Sequence, residues 1–219
     1  MQTQLYAGID EAGRGCVLGP MAIAIVAADE KDRRWFADIG VRDSKLLVPR
    51  IREDLAKRIR ERCWHRIVIA QPLDIDAAVQ SEGRSLNTLE QDLMSSLIRD
   101  FQTSFADTSA RILSDAISRN TEKHAARLQE LSHAIPHHII IARIAADTHD
   151  KTVGAASILA KSERERLISL AREEIGYDFG SGYCSDPKTV QYLEECGREH
   201  AIVRQSWKIG AWGVGRSVR

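Results

Sequence analysis

Short apolar runs, separated by longer amphipathic stretches, set the pattern of this chain. Residues 4–10 and 20–28 are two such runs and residues 65–70 are a third, so the pattern predicts three successive strands that pair as a meander. Residues 110–115 form a fourth predicted strand. The run at 138–147 is apolar almost without interruption, which is typical of a strand buried on both faces. Because these later strands alternate with helical stretches, we expect an α/β fold, a mixed sheet covered by helices.

The stretches between the strands have helical periodicity. Residues 49–62 carry Ile51, Leu55 and Ile59 at four-residue steps, with arginine and lysine at most other positions, and a proline fits the first turn. Residues 152–175 are typical of a long helix whose small side chains let it lie close to a sheet. Further helices are predicted from residue 86 onward, over 121–131 and from residue 187. A short helix capped by Asp74 is predicted before them, and a short helix or loop is predicted over 29–40.

The composition changes near residue 176, where glycine, tyrosine, serine, aspartate and proline replace the helical pattern. Asp186 is the expected N-cap of the helix that follows, with a proline at its first position. We therefore expect two parts: a main domain over residues 1–175 and a small helical C-terminal part over residues 176–219.

Length and composition fit an ordinary globular protein. The chain has 219 residues, of which 43% are apolar and 28% are charged. This is enough for one domain with a full core and a small appendage. No apolar run approaches the length that spans a bilayer, and the N-terminus lacks the basic and apolar segments of a secretory signal. We therefore expect a cytoplasmic location without membrane contact.

Net charge and cysteine spacing say little about partners or metals, whereas the distribution of charge distinguishes the end of the chain. The formal net charge is zero, so composition by itself gives no sign of a nucleic-acid partner. No acidic residue follows Glu199, and this leaves a basic tail that fits a solvated terminus about as well as a contact for a polyanion. The basic residues of this tail are Arg204, Lys208, Arg216 and Arg219. The four cysteines lack metal-site spacing and are expected to be reduced and independent.

Three apolar runs end in carboxylates: Asp10 with Glu11, then Asp115, then Asp147. If these strands are neighbours in the sheet, their ends bring up to four acids to one edge. Such a cluster repels itself and takes up protons unless cations balance it. Magnesium and manganese prefer oxygen ligands, and two ions about 3.5–4 Å apart suit in-line displacement at phosphorus. The pattern therefore predicts a site for two divalent ions, Mg²⁺ or Mn²⁺, one to activate water and one to neutralise the leaving oxygen.

Other interpretations of these residues stay open. A bare acidic pair at a strand end is most often only a solvated turn. Asp150 competes with Asp147, but it directly precedes the long helix and fits an N-cap, so we favour Asp147 as the ligand. His133, His137 and His138 lack the spacing of helical metal ligands and are expected to be solvated loop residues. No serine or cysteine nucleophile has recognisable partners, so covalent catalysis is the weaker hypothesis.

A turn of Gly13, Arg14 and Gly15 follows the first acidic pair, and we refer to it as the glycine turn. Glycines give the backbone freedom to bend around the carboxylates and let another backbone come close, while Arg14 is left as the one charged group. A carboxylate pair beside a flexible cationic turn suits a divalent ion with a phosphate laid over it.

Five segments, in this order, resemble the type 2 ribonucleases H, the ribonuclease HII family. They are Asp10-Glu-Ala-Gly-Arg-Gly15, Asp43-Ser-Lys45, Leu86-Asn-Thr-Leu-Glu90, Ala155-Ala-Ser-Ile-Leu-Ala-Lys161 and Gly180-Ser-Gly-Tyr-Cys-Ser-Asp-Pro-Lys-Thr189. The last segment, with Ser206-Trp-Lys208 beyond it, is most similar to the archaeal and eukaryotic branch. Any one segment is a weak signal, but five in sequence are a strong one.

The resemblance implies a ribonuclease H-like fold and a metal-dependent endonuclease that cuts the RNA strand of RNA/DNA hybrids. It also implies cutting on the 5′ side of a single ribonucleotide embedded in duplex DNA. The products would carry 3′-hydroxyl and 5′-phosphate ends. A monomer is the expected state, since the archaeal-type enzymes that the chain resembles generally act alone.

The resemblance also implies roles for single residues. The positions that match the metal-binding acids are Asp10, Glu11, Asp115 and Asp147. The glycine turn matches the segment that senses the ribose 2′-hydroxyl through its backbone, and this hydroxyl is the local difference between RNA and DNA. Tyr183 matches a tyrosine that stacks near the ribonucleotide, where an aromatic ring can pack on a sugar. Lys45 matches a phosphate contact, which suits its mobile point charge.

Two positions depart from the family pattern. Residues 143–147 are Arg-Ile-Ala-Ala-Asp, where the family usually has Glu-His-Lys-Ala-Asp, so substrate contacts in this segment differ. Cys184 stands where proline is usual. Two other functions stay open. A DNA-strand integrase or resolvase on the same fold would cut without a ribonucleotide, and a non-catalytic hybrid-binding protein would bind without cutting.

Overall fold

The structure is a computed structural model that describes residues 4–41 and 47–207. In this part of the chain the strands are β1 (Leu5–Ala12), β2 (Met21–Ala28), β3 (His65–Ala70), β4 (Ala110–Asp115) and β5 (His138–Arg143). The helices are α1 (Glu30–Asp38), α2 (Pro49–Arg62), α3 (Pro72–Gln80), α4 (Leu86–Ser104), α5 (Thr121–Ser132), α6 (Ala146–His149), α7 (Lys151–Ile175) and α8 (Pro187–Cys196). Each strand and helix expected from the periodicity is present. The short helix expected at Asp74 is α3, which begins at Pro72, and α6 is additional.

The five strands form one sheet in the order β3-β2-β1-β4-β5. The first three strands of the chain lie side by side, as the predicted meander requires. β4 pairs in parallel with β1, and β5 pairs in parallel with β4. The predicted mixed sheet flanked by helices is confirmed. Because β1 lies in the middle of the sheet, the residues at its end are next to those at the end of β4.

The fifth strand differs from the prediction in two ways. It ends at Arg143, and Asp147 lies in the one-turn helix α6. Ala145 has a left-handed backbone conformation, with φ 54°, and because an extended strand cannot contain this conformation, the chain turns there. Burial also alternates along β5, and Ile139 is 53% exposed. The predicted burial on both faces is wrong because β5 is an edge strand with one open face.

Aspartate side chains cap the first turns of α1 and α8. Asp29 caps α1, where its carboxylate accepts hydrogen bonds from the backbone N–H groups of Lys31 and Asp32, both at 2.8 Å. Asp186 caps α8 as predicted and accepts the backbone N–H of Lys188 at 3.0 Å. Such caps satisfy donors that a helix start leaves without an intrahelical acceptor. Among the described helices, none combines the length and the apolar character that crossing a bilayer would need.

Contacts divide the chain into two compact units. The first unit comprises Met1–Ala12, Ile23–Val68 and Glu90–Ser162, and the second unit comprises Gly13–Ala22, Ile69–Leu89 and Glu163–Arg219. These divisions fall at other positions than the expected boundary near residue 176, which stays a prediction.

The first unit has a hydrophobic core that combines alternate residues of β2 with one face each of α1, α2 and α7. Phe36 and Ile59 are fully buried in it. The start of α7 contributes small side chains, and Ala155 and Ala156 are likewise fully buried. Small residues therefore let α7 lie close to the sheet, as the sequence predicted.

Gly8 shows how close this packing is. A Cβ atom at Gly8 in β1 would lie 2.3 Å from backbone atoms of Thr152 and Val153 at the start of α7. Since real Cβ contacts of this kind are absent from close-packed interiors, only glycine fits between the strand and the helix.

The second unit has its own core. Val17 and Leu18, which follow the glycine turn, pack with Phe179, Tyr192 and Val203. An isolated antiparallel bridge joins Leu18 to Val203. The segment after the glycine turn is therefore fixed by residues far along the chain.

We predict that Gly8→Ala destabilises the protein by more than the roughly 1–3 kcal/mol of ordinary overpacking, because the added methyl group would meet backbone atoms. Chemical denaturation measures the loss. The matched control is Gly40→Ala, where φ is +83° and nothing lies within 4 Å of the added Cβ. There the cost is that of a left-handed alanine, about 1–2 kcal/mol. Equal losses in the two variants would contradict the close packing of α7 on β1.

Candidate active site

Three carboxylates meet where β1 and β4 end. Because the strands are parallel and Ile9 lies opposite Ser114, the residues that follow, Asp10 and Asp115, come side by side. Glu11 joins them, and one carboxylate oxygen from each of the three acids lies within 4.8 Å of the others. The Asp10 carboxylate also accepts the backbone N–H of Glu11 at 2.8 Å. The structure thus brings together three of the four acids predicted for the site, and we call them the acid cluster.

Asp10 is the most buried acid of the cluster, with 4% of its surface exposed. Burial is the main reason why the pKa of Asp10 is raised to about 7, and repulsion by Asp115 and Asp147 adds to it. A hydrogen bond with Ser157 and the charge of Lys161 act in the opposite direction and lower the pKa. Near neutral pH the Asp10 carboxyl therefore gains or loses its proton readily when the surrounding charge changes.

Asp147, the fourth predicted acid, approaches the cluster from α6. It is 5% exposed, and its charge contributes to the raised pKa of Asp10. Asp115 fixes the start of α6, since its Oδ1 accepts the backbone N–H of Ala146 at 2.7 Å. The position of Asp147 thus depends on the left-handed turn at Ala145 and on a neighbouring acid, and not on the end of a strand as the sequence predicted.

Asp150, the rival of Asp147, caps α7. Its Oδ1 accepts the backbone N–H groups of Thr152 at 2.8 Å and Val153 at 3.2 Å. Its Oδ2 lies 3.1 Å from an Arg33 guanidinium nitrogen. The N-cap interpretation of Asp150 is confirmed, and both of its carboxylate oxygens are engaged away from the acid cluster.

Two polar side chains of α7 interact with Asp10, and neither was among the site residues predicted from the sequence. They are Ser157, which is hydrogen-bonded to Asp10, and Lys161, whose charge lowers the pKa of Asp10. The two residues are four positions apart, so they share one face of the helix. The sequence does contain a signal for them, namely two polar residues four positions apart within a run of small apolar residues.

The acid cluster fits a hard divalent cation. Carboxylates are acceptor-only when ionised and supply several oxygen ligands, which Mg²⁺ and Mn²⁺ prefer. In the part of the chain that the structure describes, neither histidine nor cysteine belongs to the cluster. A cation would also balance the repulsion that contributes to the raised pKa of Asp10.

The histidines near β5 were expected to be solvated, and this is wrong for His138. It is 1% exposed, its Nε2 lies 2.9 Å from the Thr108 carbonyl oxygen, and its ring packs 5.3 Å from that of Phe101. The reason is that His138 begins β5 and points into the interior. His137 is exposed, and its Nε2 lies 2.6 Å from the Ala106 carbonyl oxygen.

In the second unit, the glycine turn has a backbone that only glycine can adopt at its first position. Gly13 has φ +87°, and a Cβ there would lie 2.2 Å from the Arg164 Nε and 2.8 Å from the Pro20 carbonyl oxygen. The turn is therefore packed directly against the side chain of Arg164, whose Nη2 also donates to the carbonyl oxygens of Leu18 at 3.3 Å and Ser181 at 2.9 Å.

Tyr183 lies beside the glycine turn within the second unit. A Cβ atom on Gly15 would lie 3.9 Å from the Tyr183 ring, which is 42% exposed. The Arg164 guanidinium lies 5.6 Å from the centre of the ring. The Tyr183 hydroxyl is hydrogen-bonded to the buried Cys16 thiol, and burial raises the pKa of Tyr183 to about 12. Cys16 thus holds the neutral Tyr183 hydroxyl in place, while part of the side chain stays exposed.

The remaining predicted contacts have different outcomes. The Arg14 guanidinium is hydrogen-bonded to Asn87 Oδ1, near the start of α4. Lys45, the predicted phosphate contact, lies outside the described residues, as does the tail beyond residue 207. Arg204 was assigned to a basic tail that is either solvated or in contact with a polyanion, and both alternatives are wrong for Arg204 because its side chain is completely buried.

Known proteins resemble this chain over almost its whole length. The sequence profile of the family described as ribonuclease HII matches residues 7–209. Ribonuclease HII of Archaeoglobus fulgidus is 36% identical over 208 residues, which cover 93% of this chain and 94% of that protein.

Solved structures agree. The structure of the PCNA:RNase HII complex from Archaeoglobus fulgidus matches with a TM-score of 0.83 at 34% identity, covering 96% of this chain and 98% of that chain. The ribonuclease H2 from Pyrococcus horikoshii OT3 matches with a TM-score of 0.80 at 32% identity, covering 93% and 94%.

We predict that Asp10→Asn stabilises the metal-free protein at high pH. The pKa of Asp10 is about 7 in the folded chain and 3.8 as its ordinary value. The folded state therefore binds more protons between these values, and stability falls as pH rises from about 4 to about 7. Asparagine stays neutral, so in chelator the variant should gain over the wild type across this range, by at most about 4 kcal/mol.

Urea denaturation in chelator at several pH values checks this. Asp150→Asn is the matched control, because it makes the same chemical change at a carboxylate outside the acid cluster and an asparagine can still cap α7. A gain for Asp10→Asn that is the same at about pH 4 and about pH 8 would contradict the raised pKa of Asp10.

Proposed function

The chain belongs to the ribonuclease HII family, and on that premise we propose which substrates it selects and how its residues act on them. Membership makes it an endoribonuclease that acts on the RNA of RNA/DNA hybrids. The proposal is that it also cuts on the 5′ side of a single ribonucleotide embedded in duplex DNA. The products would be 3′-hydroxyl and 5′-phosphate ends, formed by a mechanism that uses two divalent ions.

The observation that carries the proposal is the acid cluster. Asp10, Glu11 and Asp115 place carboxylate oxygens within 4.8 Å of one another, although repulsion and burial oppose this arrangement. Such an arrangement is explained when cations bind there, and we assign the metal sites to the three acids together with Asp147. When bound, Mg²⁺ or Mn²⁺ would lower the pKa of the attacking water and balance charge on the leaving oxygen.

The residues around the cluster would prepare it for such ions. Asp115 orders the start of α6 through the Ala146 N–H and so holds Asp147 in reach. Ser157 and Lys161 lower the pKa of Asp10, and they therefore favour the ionised carboxylate that a cation requires. Because Gly8 lets α7 lie against β1, these two side chains can approach Asp10 at all.

Selection of the ribonucleotide is assigned to the glycine turn and Tyr183. The 2′-hydroxyl both donates and accepts hydrogen bonds, and it is the group that distinguishes RNA from DNA at one position. Gly15 is exposed, so its backbone is accessible, and the exposed Tyr183 ring lies beside it. A sugar that follows the ribonucleotide could pack on this ring, where an additional hydroxyl would interfere.

The two rival functions make different predictions. An integrase or resolvase would cut duplex DNA that contains no ribonucleotide, and family membership disfavours it. A non-catalytic hybrid-binding protein would not need the clustered acids. Their mutual repulsion destabilises the folded chain, and a catalytic role explains why they are nevertheless present.

Partners and location complete the proposal. The Archaeoglobus relative was solved in a complex with PCNA, and we propose a partner of this kind for this chain. The monomeric state, the cytoplasmic location, the boundary near residue 176 and the Lys45 phosphate contact stay predictions from the sequence.

The test is cleavage of a labelled DNA duplex that holds one ribonucleotide, beside a long RNA/DNA hybrid and an all-DNA duplex. Each is incubated with Mg²⁺, Mn²⁺ or chelator, and the ends are mapped. We expect metal-dependent cutting 5′ to the ribonucleotide, cutting of the hybrid and no cutting of all-DNA. Cleavage of all-DNA would overturn the assignment of 2′-hydroxyl selection.

We predict that Asp10→Asn lowers kcat by at least about 10³-fold, because it removes a charged ligand from the cluster while the hydrogen bonds of the side chain can persist. Asp150→Asn should keep kcat within about threefold, since it caps a helix and faces away from the cluster. Single-turnover cleavage measures both. Comparable activity of the two variants would contradict the assignment of Asp10 as a metal ligand.

A further inference from the structure

Arg204 is the largest fully buried side chain in the described part of the chain. A buried guanidinium is costly unless its donors are satisfied, and Arg204 satisfies them with backbone oxygens. Its Nη2 donates to the Gly13 carbonyl at 2.7 Å and its Nη1 to the Arg14 carbonyl at 2.9 Å. Its Nε donates to the Gly19 carbonyl at 2.9 Å. Two of these three acceptors belong to the glycine turn.

These contacts fix the direction of the N–H groups in the turn. The described peptide bonds include none that is cis. In a trans peptide the carbonyl of one residue and the N–H of the next point in opposite directions. Because Arg204 holds the carbonyl groups of Gly13 and Arg14, the N–H groups of Arg14 and Gly15 are directed away from it.

Arg204 is itself held in place by its neighbours in the second unit. Asp76, which is 6% exposed, accepts the backbone N–H groups of Gln205 and Ser206, both at 2.8 Å, and the Ser206 hydroxyl at 2.5 Å. The Arg204 guanidinium lies 4.9 Å from the centre of the Trp207 ring. Burial lowers the pKa of Arg204 to about 10, which leaves the guanidinium charged at neutral pH.

We propose that Arg204 is a positioning residue for ribonucleotide recognition, which directs the backbone N–H groups of the glycine turn toward the ribose 2′-hydroxyl without touching the substrate. This inference rests on the proposed function. This role depends on the shape of the guanidinium group, because its N–H donors have fixed directions in one plane and donate to three carbonyl groups at once. A lysine keeps the charge but presents its donors on a single nitrogen, so it cannot hold the turn in the same way.

The experiment compares the wild type with Arg204→Lys and uses Arg52→Lys as the matched control. Arg52 is also buried and donates to a backbone carbonyl, that of Leu47, but it lies on α2 in the first unit. The labelled substrate is duplex DNA with one ribonucleotide, cleaved in Mg²⁺, and the competitor is the unlabelled all-DNA duplex of the same sequence. The readout is the inhibition constant of the competitor divided by the KM of the substrate.

This ratio is independent of the fraction of active enzyme, so a variant that merely loses folded protein leaves it unchanged. We expect the ratio to fall by about tenfold or more in Arg204→Lys and to stay at the wild-type value in Arg52→Lys. A ratio that stays at the wild-type value in folded Arg204→Lys, or a wild-type ratio of one, overturns the inference while the proposed function stands. A wild type that cuts no ribonucleotide-containing substrate overturns the proposed function first.

Asp76→Asn provides a second variant if Arg204→Lys does not fold. It leaves Arg204 and the glycine turn intact but weakens the anchoring of Gln205 and Ser206, because an amide accepts fewer hydrogen bonds than a carboxylate. We expect the same ratio to fall, by less than in Arg204→Lys, with the fold verified by circular dichroism. An unchanged ratio in folded Asp76→Asn counts against positioning through the anchored segment and so against the inference.

Discussion

The repulsion among the carboxylates at the ends of β1 and β4 is the constraint on which the first unit depends. The parallel register of the two strands puts Asp10 beside Asp115, and the burial of Asp10 makes its negative charge costly. Polar groups near Asp10 partly offset this cost. Because Gly8 permits α7 to lie close to β1, Ser157 can form a hydrogen bond with Asp10 and the charge of Lys161 can stabilise its carboxylate. The arrangement favours binding of a divalent cation and is costly without one, which is the physical link between the fold and the metal-dependent chemistry of the family.

The second unit differs, since its buried charges include two guanidinium groups. Arg164 and Arg204 are buried among backbone carbonyl groups, and both contact the segment that begins at Gly13. Guanidinium groups suit this task because their donors lie in one plane and in fixed directions. A turn rich in glycine is flexible by itself. Its order in the folded chain therefore comes from these side chains and not from its own sequence.

The sequence predicted most of the fold because the signals involved are local. The periodicity of α2, the cap at Asp186 and the two apolar runs that end in acids, β1 and β4, all follow from neighbours along the chain. The failures have tertiary causes. The chain turns at Ala145, where no glycine or proline indicates a turn in the sequence. Asp115 fixes this turn by accepting the backbone N–H of Ala146, which lies thirty-one residues further along the chain. From the sequence, Arg204 is predicted to be a tail residue, whereas in the structure it donates to three carbonyl groups that are distant along the chain. The sequence alone does not predict such a position, because the acceptors come together only in the folded chain.

The central claim is that Asp10 exchanges its proton for a divalent cation, and calorimetric titration with Mn²⁺ in buffers of different ionisation enthalpy tests it most directly. Since the pKa of Asp10 is about 7, binding at about pH 6 should release close to one proton from this residue, and binding at about pH 8 should release far less. Asp10→Asn should remove the difference between the two pH values. Proton release that is equal at both, or unchanged in Asp10→Asn, would contradict the account.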